Sequence, residues 1–216
     1  GIFRDYLTQI KYFFCFYREP HVFSELNEKS ICLARDIYNS KKYIKPMIIF
    51  ENITTKIEDA DEGLILATKE IDALFTKRHI LNFHLIRPFG KSPSVYLIDN
   101  DDHINLKNAT NLYETYKKHK FEYYVFTTSI DSEFFIDALD KRNNKSKIQL
   151  INQPQIIAYN LMIEKPLFSG PVNSNSDKIS VLVIGAGRIG MECAKTAMWC
   201  SRMKNYDFEI RIIDSV

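Results

Sequence analysis

Lys178-Ile-Ser-Val-Leu-Val-Ile-Gly-Ala-Gly-Arg-Ile-Gly190 is the stretch on which the reading of this chain turns. An apolar run of strand length feeds directly into G-x-G-x-x-G at Gly185, Gly187 and Gly190. The residues that follow have the character of a helix, with the small side chains Ala194 and Ala197 on it. A second apolar run, 208–213, ends in Asp214. The interval from Gly190 to this acid is somewhat longer than the usual spacing of about 20 residues. Each part has a physical job in a dinucleotide site. Gly185 permits a tight turn out of the strand, Gly187 leaves room for a pyrophosphate, and Gly190 lets the helix pack close to the sheet. The first N–H groups of the helix and its positive dipole end then face the phosphates. A carboxylate at the end of the second strand accepts hydrogen bonds from the ribose hydroxyls. The candidate cofactor-binding residues are therefore Gly185, Ala186, Gly187, Arg188, Ile189, Gly190 and Asp214, and NAD, or another adenine nucleotide, is the expected ligand. Asp214 should favour NAD(H) over NADP(H), because it repels a 2′-phosphate.

Upstream, strand-length runs recur at 12–17, 47–50, 73–76, 95–98, 123–127 and 148–151. Most are rich in Val, Ile, Tyr and Phe and lack alternation, as strands buried on both faces do. Amphipathic segments are expected as helices between them, at 26–39, 59–71, 105–118 and 132–141. Strands alternating with helices predict an α/β fold with mostly parallel, doubly wound, Rossmann-like sheets. The order strand–helix–strand–helix–strand occurs twice, in copies at about 10–86 and 94–165. One constant shift brings Asn27 onto Asn105, Lys29 onto Lys107, Tyr38 onto Tyr116, Lys42 onto Lys120, Asp59 onto Asp137 and Ala60 onto Ala138. The expected organisation is a duplicated domain over 1–168 with one shared core, a polar linker at 169–178 (Ser169-Gly-Pro-Val-Asn-Ser-Asn-Ser-Asp-Lys178), and the start of a nucleotide-binding unit over 179–216.

Composition excludes several classes. The chain has 216 residues, of which 45% are hydrophobic and 26% charged, with a formal net charge of +2. It can fill a core, it has no basic footprint for nucleic acid, and no stretch is long and apolar enough to span a bilayer. Cys15, Cys32, Cys193 and Cys200 form no metal or disulfide pattern and read as reduced thiols in a cytoplasmic protein. Cys193 stands near the start of the glycine-loop helix, where a dipole can activate a thiol, although packing on the sheet is the plainer reading. Asp99, Asp101, Asp102 and His103 form an acidic knot that reads either as a cation site or as a capped helix start. The five histidines are scattered, and no catalytic set stands out.

Gly-Ala-Gly-Arg-Ile-Gly at 185–190 resembles the G-x-G-R-x-G form of TrkA-N domains, the nucleotide-binding domains of regulators of potassium conductance (RCK). The two upstream copies resemble the second half of such a domain. The resemblance implies a regulatory module that binds NAD(H) or an adenine nucleotide and controls ion transport. It also implies a homo-oligomer and, as a partner, a membrane transport protein or domain outside this chain. The chain starts without Met and stops straight after a strand, as a piece of a longer protein would. The alternative is an NAD(P)-dependent oxidoreductase whose catalytic part lies beyond Val216.

Overall fold

A computed structural model describes residues 2–51, 62–76, 78–128, 145–169, 177–202 and 206–214. The chain divides into two units, Gly1–Ile151 and Asn152–Val216.

The N-terminal unit runs α1 (Ile2–Phe14), β1 (Pro20–Phe23), α2 (Glu28–Ser40), β2 (Met47–Glu51), α3 (Glu62–Glu70), β3 (Leu74–Thr76), a 3-10 turn (Ile80–Asn82), β4 (Ser94–Leu97), α4 (Asp102–Thr115), β5 (Glu122–Thr127) and β6 (Lys147–Asn152). The strands form one parallel six-stranded sheet in the order β3-β2-β1-β4-β5-β6. Strand order reverses between β1 and β4, which is the switch point of a doubly wound sheet. Every residue of β1, β2 and β4 is buried, which explains the unbroken apolar runs. One core gathers Val22, Ile49, Val95 and Val125 under Tyr12 of α1 and Leu112 of α4. The other gathers Phe23, Ile48 and Phe50 under Ile31 and Ala34 of α2 and Ala67 of α3. The helices thus cover both faces of the sheet, as the α/β reading requires.

On the second face an aromatic ladder crosses five strands. Phe75, Phe50, Phe23, Tyr96 and Tyr124 stand side by side, with successive ring centroids 6.1, 5.0, 4.6 and 4.8 Å apart. They are register partners from β3 to β5. Slipping any strand by one residue would turn its ring to the other face and break the ladder.

Three expectations change. The aromatic run 12–17 is not a strand. Its first three residues finish α1, and the segment reads as a strand only by composition. Helical spacing places Thr8 and Tyr12 together in the core, where their hydroxyls donate to the Phe75 and Leu85 carbonyls at 2.7 and 2.6 Å. The true first strand is Pro20–Phe23, a short segment that composition does not mark out. The second change is the offset between the copies. Pro20 and Ser94 open β1 and β4, and Asn27 and Asp101 cap α2 and α4, so Asn27 is equivalent to Asp101 and not to Asn105. The difference is close to one helical turn of about 3.6 residues, a slip that leaves an apolar stripe in phase. Third, the division between units falls at Ile151 and Asn152, upstream of the polar stretch 169–178. Helix α5 (Gln153–Glu164) belongs to the C-terminal unit, because it packs on that unit's helix α6 (Arg188–Cys200). The helix expected over 132–141 lies outside the described residues.

The C-terminal unit holds α5, β7 (Lys178–Ile184), α6 and β8 (Asp207–Ile213). β7 and β8 pair in parallel along their whole length, Lys178↔Asp207 to Ile184↔Ile213. Ile179 and Val183 are buried, as are Ala194 and Ala197 of α6. Leu182, Ile184 and Ile213 are exposed, as is Trp199. Among the described residues no helix is long and apolar enough to cross a membrane.

Candidate functional site

The three glycines of the loop 185–190 occupy three different environments. Gly185 has φ +94°, in the left-handed region where an L side chain is strained. Its N–H donates to the Ile213 carbonyl at 2.7 Å, which ties the end of β7 to the end of β8. A Cβ on Gly190 would collide with the Gly185 carbonyl oxygen, so the helix can sit this close to the turn only with glycine there. Gly187 is the opposite case. Its backbone is extended, and a Cβ built on it would meet nothing within 4 Å. Neither turn geometry nor internal packing requires glycine at this position.

Gly187 is also the N-cap of α6, and it supplies no side-chain hydrogen bond to the helix start. The first turn is Arg188, Ile189 and Gly190, and the ladder begins with the Met191 N–H donating to the Gly187 carbonyl at 2.9 Å. No acid stands in this first turn. The helix therefore keeps its positive end. A cleft of about 740 Å³ opens at this point, lined by Leu161 and Met162 of α5, Ile184 of β7, and Gly185, Gly187 and Arg188 of the loop. Its size is that of a small-molecule site, and its lining is mostly apolar with backbone polar groups at one end.

Asp214 follows β8 immediately and is exposed. The pairing of Ile184 with Ile213 brings it level with Gly185. The longer interval to the acid is thus absorbed before β8, and the carboxylate reaches the end of the strand beside the glycine turn. The loop 185–190 and Asp214 lie in one unit at one end of one strand pair. Ala186 is the outer residue of the turn, half-buried between Gly185 and Gly187. Cys193 is half-buried one turn into α6, and burial, with Glu192 beside it, raises its thiol above the ordinary range.

The acidic knot resolves into a helix start. Asp101 caps α4 by accepting from the His103 N–H at 2.8 Å, and Asp99 accepts from the Asp101 N–H at 2.9 Å. Asp102 accepts from the Thr128 N–H and hydroxyl at 2.8 and 2.7 Å. Asp102 thereby ties the carboxyl ends of β4 and β5 together. Among the described residues no group of three His, Cys, Asp or Glu side chains is placed to hold a metal ion.

Sequence reasoning missed a second cluster. Glu51, the last residue of β2, has a fully buried carboxyl group that faces His79. The only signal was a charge at the end of the run Met47–Phe50, where a solvated strand end is the ordinary reading.

No family model, curated protein or solved structure matches the chain.

Proposed function

We propose that the C-terminal unit is a dinucleotide-binding module that takes NAD(H) at the loop 185–190. Gly187 carries the reading. Of the three loop glycines it is the one that neither turn geometry nor packing demands, and it stands where a pyrophosphate would need an open backbone. Gly187, Arg188, Ile189 and Gly190 would hold the phosphates at the uncapped start of α6. Asp214 would accept from the adenosine ribose hydroxyls and disfavour a 2′-phosphate. Arg211 of β8 pairs with Glu209, which commits its charge away from such a phosphate. The nicotinamide supplies hydride chemistry when it takes part in a reaction. The resemblance to TrkA-N domains favours a regulatory role over a catalytic one.

The resemblance to TrkA-N domains extends the proposal to control of ion transport, acting on a transport protein or domain outside this chain. The exposed Leu182, Ile184 and Ile213 support a homo-oligomer. The four unbridged cysteines support a reducing, cytoplasmic setting.

Titration calorimetry of NADH, NADPH and ATP against the protein and Gly187→Ala tests the reading. The substitution has room in the fold, so the thermal transition should stay in place while NADH affinity falls at least about tenfold. Unchanged NADH binding in a folded Gly187→Ala protein would remove the pyrophosphate from this loop. NADPH binding tighter than NADH would remove the role of Asp214.

A further inference from the structure

The carboxyl edge of the six-stranded sheet contains a buried acid that the nucleotide reading does not use. Glu51 ends β2, and its side chain is 1% exposed. Oε2 accepts from the Ile80 N–H at 2.7 Å. Oε1 is buried and accepts no hydrogen bond among the described residues. It faces His79 Nε2 across 3.9 Å, too far for a hydrogen bond. The other ring nitrogen, Nδ1, accepts from the Leu81 N–H at 3.3 Å. Nδ1 is therefore unprotonated in this arrangement, and a neutral imidazole carries its proton on Nε2, towards Glu51. Glu51 and His79 together hold the first two amides of the turn Ile80–Asn82, whose Ile80 is buried in the core.

We propose that Glu51 and His79 form a proton-operated latch on this turn, which a neutral Glu51 carboxyl keeps docked on the sheet edge and an ionised one loosens. Among the described residues the carboxylates near Glu51 are of the wrong sign to stabilise an anion. Asp99, after β4, and Glu25, after β1, both disfavour its ionisation. Its register partner on β3 is Thr76, which is uncharged. Among the described residues His79 is the cationic candidate facing it, and burial and then Lys107 of α4 lower its basicity. Near neutrality the titrating proton therefore belongs to Glu51, and His79 stays a neutral imidazole. Burial raises this carboxyl from 4.5 to about 7, the Ile80 N–H opposes the rise, and Asp99 and Glu25 add to it. With the folded value above the unfolded one, the contribution of Glu51 to stability is complete below about pH 4.5 and is lost as pH rises through about 7.

The latch acts where a doubly wound sheet presents its carboxyl edge, so it would couple proton concentration to the shape of that edge. Two measurements on the full chain test it. Carboxyl carbon NMR of the wild-type protein should show Glu51 titrating near neutrality; a midpoint at the ordinary value of a glutamate would overturn the proposal. Amide exchange of Ile80 and Leu81, corrected for base catalysis, should show protection falling about tenfold between about pH 6 and about pH 8.5. Glu51→Gln, which keeps an acceptor for the Ile80 N–H and cannot ionise, should hold that protection constant within about twofold. An equal fall in both proteins would also overturn the latch. If Glu51→Gln does not fold, the carboxyl titration decides alone.

Discussion

Two strand-to-helix turns in this chain meet the same requirement by opposite means. Where β1 passes into α2, Asn27 caps the helix. Its side chain accepts from the Ser30 N–H at 2.8 Å, and the Ser30 hydroxyl accepts from the Asn27 N–H at 2.8 Å, completing a capping box. The Asn27 amide also donates to the Ile98 carbonyl at 2.8 Å, from β1's side of the switch point to β4's. Where β7 passes into α6, glycine caps the helix and no side chain enters. The first turn satisfies its polar groups internally, and the crevice it borders is bridged. The second leaves its helix start open. A doubly wound sheet thus has its usual ligand position filled from within at β1, while the same local topology at β7 stays available.

The comparison can be broken most violently at Gly190. Gly190→Ala sets a methyl carbon against the Gly185 carbonyl, so strand and helix must separate. We expect a loss of about 3 kcal/mol or more, read as early unfolding of the C-terminal unit in urea and rapid proteolysis of residues 152–216. A wild-type urea profile would show that the close approach is not needed. Next comes Asn27→Ala, which removes a cap and a bond across the switch point. A loss of about 1–2 kcal/mol is expected from the capping term, measured as a lower urea midpoint for the N-terminal unit. The variant should gain no nucleotide affinity, because the β1 turn lacks the glycines; NADH binding there would erase the contrast. Asp214→Ala should leave both urea transitions in place, because Asp214 is exposed. It should weaken NADH binding and narrow the preference over NADPH, as calorimetry would show. The smallest effect should be that of Glu209→Gln. Lys178 and Arg211 hold Glu209 below the usual carboxylate range through hydrogen bonds, yet the group is only half-buried at the surface and such solvent-screened pairs contribute little. No measurable change in the urea midpoint is expected.

Strands β2 and β4 were legible because burial on both faces demands continuous Val, Ile, Phe and Tyr. The glycine loop was legible for a related reason: few structures need three glycines at that spacing after a strand. Its spacing also separated the demands: Gly185 takes the left-handed turn and Gly190 the close approach of the helix, in the order that spacing implies. Tyr12 misled because an aromatic serves a helix as well as a strand when its hydroxyl finds a carbonyl such as that of Leu85. The pairing of Glu51 with His79 was hidden because it joins two ordinary residues across a crossover. Their meaning comes from burial, which no spacing records.

The distribution of chromophores has a practical consequence. The chain has one tryptophan, Trp199, which is 77% exposed on α6. The five-ring ladder belongs wholly to the other unit, with the stacked Tyr96 and Tyr124 planes nearly parallel at 8°. Stacked phenols at 4.8 Å couple their electronic transitions and give near-ultraviolet circular dichroism, which vanishes when the rings lose their fixed spacing. Indole emission excited at the red edge, where tyrosine does not absorb, comes from the C-terminal unit alone. One sample, without labels, can therefore report the melting of each unit on its own optical channel.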